Sequence, residues 1–175
     1  MEKNKKIKVI CNSSPIIGLA KIERLDIIEK LYREIIVPEA VFDELITKGR
    51  DKDKTTAINK LIDKNIVIVQ KVKNRELIRA LRKDLDYGES EVIALAVELQ
   101  ADLVILDEKD ARDIADFYNL TKTGLLGILI RAKERGFISS VKEYMDRLIK
   151  AGFRIDENLY ELIASSLEDG DEALI

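Results

Sequence analysis

The sequence contains no histidine, and Cys11 is its single cysteine among 175 residues. The lack of histidine excludes Cys/His zinc sites and catalysis by Ser-His-Asp or Cys-His groups, and one cysteine cannot form an internal disulfide. No apolar run approaches the roughly 18 residues of a membrane span. The first ten residues alternate charged and apolar side chains, which is unlike a signal peptide. We therefore expect a cytoplasmic protein that does not cross a membrane.

An excess of positive charge is also lacking, because 30 Lys and Arg residues stand against 33 Asp and Glu residues and the net charge is -3. Any contact with nucleic acid must then come from a local basic patch and not from the field of the whole molecule. Two phosphate-binding motifs are missing as well, namely GxxxxGK[ST] and a GxGxxG that follows the first strand. Their absence argues against nucleotide hydrolysis and dinucleotide binding.

The length and the apolar content indicate one compact domain. A chain of 175 residues fits a single domain, and a domain of this size buries roughly 70% of the surface that its unfolded chain exposes. Hydrophobic residues make up 46% of the sequence, which is enough for one core. We predict a single domain over residues 1–167 and an acidic C-terminal tail over residues 168–175.

Short apolar runs alternate with helical patterns along the chain. Strands are predicted near residues 7–11, 35–37, 66–69, 101–106 and 120–122, and the segments between them show helical spacing of apolar residues. Ser14 is predicted to cap the first helix, with Pro15 at its first position. Strands separated by helices predict an α/β fold with a central parallel sheet covered by helices on both faces.

Polar side chains follow two of the predicted strands. Asn12 comes after the first strand, and Asp107 comes after the apolar run that ends at Leu106. In open α/β sheets the ligand crevice lies outside the carboxyl ends of the strands, so both side chains are expected at one crevice. Asp107 also has a purely structural interpretation, as the N-cap of the helix that follows it.

Acidic residues on two helices are further candidates. Glu44 borders the apolar stripe of its helix, and taken alone this position favours an edge glutamate that reaches solvent. Glu91 lies on an almost wholly apolar helix, where a carboxylate is rare unless it is paired or bound to metal. Glu91 also has a purely structural interpretation, because an acid near the start of a helix interacts favourably with the helix dipole. Glu89 shares that explanation and is the weaker candidate.

This set of carboxylates and one amide suits Mg²⁺ or Mn²⁺, which prefer oxygen ligands. Such ions promote phosphodiester hydrolysis. Three further residues could contact the substrate or a water molecule at the site. Arg112 lies one helical turn beyond Asp107 and could hold a phosphate, or could belong to a solvated helix face; Ser14 and Thr123 could position water, or could serve as helix caps.

Several segments together resemble the PIN-domain superfamily. The run ICNSSPIIGLAKI looks like the opening of PIN-domain proteins, VPEAVFDEL matches their second acidic segment, and LDYGESEVIALAVEL with ADLVILDEKDAR resembles their third and fourth. The match extends from about Val9 to Arg135. It is closest in form to a bacterial and archaeal branch that is often paired with a small antitoxin.

The resemblance implies a Rossmann-like three-layer α/β/α sandwich and a Mg²⁺- or Mn²⁺-dependent ribonuclease, the toxin of a toxin-antitoxin pair. By position it indicates Glu44, Glu91 and Asp107 as the acids of the metal site. Glu91 and Asp107 would hold the ion, Glu44 would complete the cluster, and Asn12 would contribute an amide oxygen. Asn12 departs from the family pattern, which usually has Asp at this position.

Two other interpretations compete with the ribonuclease. Asn12 favours a PIN-like module with little catalysis that binds RNA or a protein partner. A small-ligand α/β sandwich is disfavoured by the carboxylates, because ligand pockets are mostly apolar. We also expect a homodimer, since wide apolar helix faces near residues 125–130 and 144–149 would be covered by a second copy.

Overall fold

The computed structural model describes residues 7–47 and 52–168, and it confirms the predicted α/β fold. Five parallel strands form a central sheet in the order β3-β2-β1-β4-β5, with helices flanking it. The strands are β1 (Val9–Cys11), β2 (Ile35–Pro38), β3 (Val67–Gln70), β4 (Leu103–Ile105) and β5 (Lys122–Thr123).

The helices within the described ranges separate and follow these strands. They are α1 (Ser13–Lys21), α2 (Asp26–Tyr32), α3 (Glu39–Thr47), α4 (Lys52–Asp63), α5 (Arg75–Leu81), α6 (Tyr87–Leu99), α7 (Lys109–Phe117), α8 (Leu125–Glu134), α9 (Val141–Lys150) and α10 (Glu157–Glu168). None of them is long and apolar enough to cross a lipid bilayer.

Strand β1 is the centre of the sheet and sets the position of the crevice. Ile10 pairs with Ile36 of β2 on one side and with Val104 of β4 on the other. The strand order reverses around β1, and in such sheets a crevice opens outside the carboxyl ends of the two strands at the reversal. The residues that follow β1 and β4 therefore lie at this crevice.

Helix α6 is the most deeply buried helix element near that edge. Its residues from Gly88 to Ala96 are all buried, as the apolar sequence predicts. It packs on α3, α5 and α7 and against β1, β2 and β4. Any polar side chain at its first turn is therefore held close to the carboxyl edge of the sheet.

The predicted start of the first helix is wrong by two residues. Asn12, and not Ser14, is the N-cap of α1, because its backbone is extended (φ -79°, ψ 169°) and its side chain accepts a hydrogen bond from the Ser13 N–H. Pro15 is then the third helical residue, where the missing N–H costs nothing because the first turn has no intrahelical acceptor for it. Of the predicted tail, Glu168 ends α10, and residues 169–175 lie outside the described residues.

Candidate functional site

The carboxyl end of β1 places two buried polar residues at the crevice. Asn12 is 6% exposed, and its Oδ1 accepts a hydrogen bond from the backbone N–H of Ser13 at 2.8 Å. Ser13 is also buried, and its hydroxyl donates to Glu44 Oε2 at 2.6 Å. The amide of Asn12 thus has a structural role as a helix cap, and Ser13 joins β1 to a carboxylate on α3.

Glu44 contacts the first turn of α6 as well. A methyl group at Gly88 would lie 2.6 Å from Glu44 Oε1 and 3.5 Å from Asp86 Oδ1. Only a residue without a side chain leaves room for the carboxylate at this distance. The start of α6, the end of β1 and helix α3 therefore meet around Glu44.

Glu89 lies in the first turn of α6 and forms a capping box with Asp86. Asp86 Oδ1 accepts from the Glu89 N–H at 2.8 Å, and Glu89 Oε2 accepts from the Asp86 N–H at 3.1 Å. Glu89 as a whole residue is 6% exposed. Burial raises its pKa, the hydrogen bond from Asp86 opposes that effect, and the negative charges of Asp86, Glu108 and Asp110 raise the pKa further. Glu89 is therefore close to the acidic segment that follows β4.

Asp107 is the first residue of that acidic segment, and its side chain contacts residues that follow two other strands. Its Oδ1 accepts from the backbone N–H of Leu125 at 2.7 Å, which caps helix α8 and not the helix that follows Asp107 in sequence. Burial raises the pKa of Asp107, and the Leu125 N–H, the nearby Arg112 guanidinium and a hydrogen bond from Ser14 partly oppose that effect. Ser14 follows β1 and Leu125 follows β5, so Asp107 lies between the ends of both strands.

The side chain of Glu91 has different partners from that of Glu89. It is 2% exposed, its Oε2 accepts from the backbone N–H of Ala40 at 3.0 Å, and its Oε1 lies 3.6 Å from Arg75 Nη1. Two residues correspond to about 200° around a helix, so Glu89 and Glu91 leave α6 on nearly opposite sides. These contacts give Glu91 the role of capping the start of α3.

The remaining predicted site residues are Arg112, Ser14 and Thr123, and the first two lie near Asp107. Arg112 Nη1 donates to the backbone carbonyl of Leu106 at 2.9 Å, and its charge lowers the pKa of Asp107. Thr123 ends β5 and contacts the position of a side chain at Gly127, so its hydroxyl faces α8. Ser14 is near Asp107, whereas Thr123 contributes to a separate cavity of about 590 Å³.

A groove of about 640 Å³ opens beside Asp107. Ser14, Asp107 and Glu108 line one side of it. The other lining residues include Lys21, Phe153 and Arg154. The groove therefore combines carboxylates with positive charge and an aromatic ring, a combination that can accept a charged, extended ligand.

The chemistry of these side chains fits a hard divalent cation, although the arrangement is not a preformed cage. Asn12, Glu44, Glu89 and Asp107 can offer oxygen donors, and the raised pKa values of Glu89 and Asp107 show that burial disfavours their ionised forms, which a bound cation would stabilise. Within residues 7–47 and 52–168, no group of three or more Cys, Asp or Glu side chains is arranged so that it could hold a metal ion. An ion would therefore require one or more of these carboxylates to move.

Comparison with known proteins gives a family for the chain. A model of the family DUF3368, described as a PIN domain, matches residues 8–169. Among solved structures, a PilT N-terminus domain protein from the archaeon Sulfolobus solfataricus P2 is 22% identical, over 72% of this chain and 93% of that chain, with a TM-score of 0.48. No curated protein matches the chain.

Proposed function

Because the chain belongs to the PIN-domain family, we propose that it is a Mg²⁺- or Mn²⁺-dependent ribonuclease. PIN domains generally have a metal-dependent nuclease fold and commonly bind nucleic acids. The observation that carries the proposal is the pair Glu89 and Asp107, two acids with raised pKa values at the carboxyl edge of the sheet. Such perturbed groups in a crevice are typical of functional sites.

The proposal assigns Glu89 the metal-binding role that the sequence suggests for Glu91. Glu89 interacts with the charges of the segment after β4, whereas Glu91 is engaged with Ala40 and Arg75. Asp107 and Glu89 would hold the ion, with Glu44 nearby and the amide oxygen of Asn12 as the fourth donor. When bound, the ion supplies a polarised water and stabilises the leaving oxygen of a phosphodiester.

The protein's own residues would prepare this site in two ways. Ser13 holds Glu44 through a hydrogen bond of 2.6 Å, which fixes the carboxylate beside the first turn of α6. The Leu125 N–H and Ser14 orient Asp107, and Arg112 lies close enough to stabilise its ionised form. Arg112 is also the proposed phosphate contact beside Asp107, and Ser14 is proposed to position water or substrate there. The sequence predicts the same role for Thr123, but this residue lines the separate cavity beside β5 and is not included in this proposal.

Asn12 provides the decisive test, because an amide carries no charge where a carboxylate could bind a cation. In Asn12→Asp the new side chain can still accept from the Ser13 N–H, and the added charge near the start of α1 is worth about 0.3–1 kcal/mol of stability. We expect tighter Mn²⁺ binding and at least tenfold faster cleavage of single-stranded RNA, which corresponds to ~1.4 kcal/mol of transition-state stabilisation. Titration calorimetry measures the Mn²⁺ affinity, and a gel assay measures the rate of RNA cleavage.

The control places Asp107→Asn on the Asn12→Asp protein, and this change should abolish the gain. Matching Glu89→Gln and Glu91→Gln variants separate the two acids of α6: the first should weaken Mn²⁺ binding, and the second should lower thermal stability more than Mn²⁺ affinity. If the parent protein cleaves RNA as fast as Asn12→Asp, residue 12 is not a metal ligand and this part of the proposal fails. A larger loss of Mn²⁺ affinity in Glu91→Gln would restore Glu91 to the site.

A second function is favoured by one observation. Asn12 already caps α1 with its side-chain oxygen, so it could be retained for the helix start in a module that binds RNA or a protein without cleaving it. In that case Asn12→Asp would change neither Mn²⁺ affinity nor cleavage, while RNA or partner binding would persist.

We also propose two partners. A small antitoxin could occupy the groove beside Asp107, since Phe153 and Leu159 add apolar surface to its charged lining. The face predicted near residues 125–130 is not free for a partner, because Leu125, Ile128 and Leu129 are buried within the chain. A second copy of the chain could instead cover Ile149, Leu159 and Leu162, which are 46%, 42% and 53% exposed on α9 and α10. Both proposals are consistent with a cytoplasmic toxin, and each is tested by the mass of the purified species in solution.

A further inference from the structure

Helix α5 carries positive charge along one side of its surface. Arg75, Arg79 and its C-cap residue Arg82 are exposed and follow the spacing i, i+4, i+7, which places them on one face of the helix. The net charge of the whole chain is -3. A row of three arginines is therefore a local departure from the overall charge.

An exposed tyrosine lies against this row. Tyr87, the first residue of α6, is 42% exposed. The guanidinium of Arg82 lies over its ring at 5.3 Å from the centroid, and Arg75 Nη1 is 3.3 Å from its hydroxyl oxygen. We call Arg75, Arg79, Arg82 and Tyr87 the arginine–tyrosine platform.

The platform is adjacent to the carboxylates of the candidate site. Tyr87 precedes Gly88, which lies against the carboxylate of Glu44. It follows Asp86, the N-cap of α6, which accepts a hydrogen bond from the Glu89 N–H. Arg75 is also fixed to the interior through Glu91 at 3.6 Å. Arg75 begins α5, Arg82 caps its end and Tyr87 begins α6. Helices α5 and α3 both pack on α6, so the platform and Glu44 are held on rigid elements around the same helix.

We propose that the arginine–tyrosine platform binds single-stranded RNA on its way to the carboxylate crevice. Arginine forms paired hydrogen bonds with phosphate and stacks on flat rings. Exposed aromatic rings provide stacking surfaces for unpaired bases, and arginine adds a cation–π contribution. The platform combines both features. This inference rests on the proposed ribonuclease function, because it names the substrate class and the route to that site.

Glu76 is an acid on α5 beside the arginine row, and Asp84 and Asp86 lie between Arg82 and Tyr87 in sequence. Glu76 is exposed and lies about 60° around the helix from Arg79 at 3.6 residues per turn. Its charge opposes phosphate binding at the edge of the arginine row. Removing that charge should therefore tighten RNA binding, whereas removing the arginines should weaken it, as expected if phosphate binds along this row.

The test measures binding without cleavage. Fluorescence anisotropy of a labelled, unstructured oligoadenylate is recorded with the full chain in EDTA at several salt concentrations. For Arg79→Gln/Arg82→Gln we expect at least tenfold weaker binding. The slope of log K against log[salt] should fall by about 1.4, since each phosphate contact on a single strand contributes about 0.7. Glu76→Gln should bind a few-fold more tightly.

Tyr87 is tested by two substitutions. Tyr87→Ala should weaken binding at least fivefold with little change in the salt slope, and Tyr87→Phe should retain most of the affinity because it keeps the ring. Arg75 is left intact in these variants, because its loss would also affect the buried Glu91. Circular dichroism checks that each variant is folded.

The matched control is Arg131→Gln/Arg135→Gln. These two arginines line the cavity of about 590 Å³ beside β5, together with Tyr32 and Phe137 and with no residue of the platform. We expect near-parental binding and salt slope. An equal loss in this control, or parental binding in Arg79→Gln/Arg82→Gln, would overturn the platform. Absence of cleavage in Mn²⁺ with intact, platform-dependent binding would instead reject the ribonuclease and keep the platform.

Discussion

Gly88 gives the most direct test of whether Glu44 belongs to the functional site. A methyl group at this position would lie 2.6 Å from Glu44 Oε1 and 3.4 Å from the carboxyl carbon. The first distance is too short for a stable contact, and the atom that must yield is the end of a flexible side chain. Gly88→Ala should therefore displace the carboxylate of Glu44 and leave the backbone of α6 in place.

The effect on stability should be small because two contributions oppose each other. Replacing glycine by alanine inside a helix gains about 1 kcal/mol. Losing the Ser13–Glu44 hydrogen bond of 2.6 Å costs about 1.5 kcal/mol, the lower end for bonds to charged groups, since Glu44 is half-buried. The net change of about 0.5 kcal/mol should move the melting temperature by about 2 °C or less.

The effect on the site should be much larger than the effect on stability. If Glu44 contributes to cation binding or to the reaction, Gly88→Ala should weaken Mn²⁺ binding and slow RNA cleavage by at least tenfold. Calorimetry gives the Mn²⁺ affinity without reference to activity, and the cleavage assay uses the Asn12→Asp protein as its parent.

A double-mutant cycle identifies the cause. In a Glu44→Ala background there is no carboxylate to displace and no bond to lose, so adding Gly88→Ala should only stabilise the helix, by about 1 kcal/mol. It should cause no further loss of Mn²⁺ affinity. The reasoning is refuted if Gly88→Ala lowers the affinity equally in both backgrounds, or if it has no effect on the parent.

Three further predictions concern ion binding, pH and association. Mn²⁺ should raise the melting temperature of the parent, by an amount equivalent to about 2.7 kcal/mol at a hundredfold excess over Kd, and should raise that of Asp107→Ala much less; equal shifts would mean that the ion binds elsewhere. Asp26 has its pKa lowered to about 2, first by a hydrogen bond from Arg24 and also by Lys30. The stability that it contributes is thus present above its unfolded pKa of about 3.9 and lost as the pH falls towards 2. Because its side chain is 40% exposed, that contribution is only about 1 kcal/mol, and urea titrations from pH 5 to pH 2 should show a shallower loss in Asp26→Asn. Sedimentation at micromolar concentration should show a dimer that Leu162→Glu dissociates, whereas a species of 19.9 kDa alone in the parent would contradict the dimer.

Several parts of the fold follow directly from local chemistry. Helix α3 begins at Glu39, directly after Pro38, which ends β2 and lacks the N–H that a helix interior needs. The apolar run before Asp107 forms a parallel strand with Val104 and Ile105 buried, as a continuous apolar run predicts. The first helix begins earlier than predicted, since the amide of Asn12 competes with the Ser14 hydroxyl for the role of cap.

The contacts of the carboxylates could not be predicted from spacing alone. Asp107 was expected either at the crevice or as a cap of the next helix, yet it caps α8, which lies 18 residues further along the chain. Ser13 has no sequence signal beyond its position after a strand, and its role depends on the approach of α3 to β1. These contacts depend on which elements pack together, and that is decided by the whole core.

The choice between Glu89 and Glu91 shows how the structure changes the functional question. Burial alone cannot separate the two acids, because both are nearly inaccessible at 6% and 2% exposure. Their partners do separate them. Glu91 is compensated by the Ala40 N–H and by Arg75, so its charge is already stabilised. Burial and the charges of Asp86, Glu108 and Asp110 raise the pKa of Glu89, and the Asp86 N–H opposes them. Within the described residues no cation is paired with Glu89, so a bound ion would stabilise it more than Glu91, and this difference is why we propose the first turn of α6 as the metal-binding position.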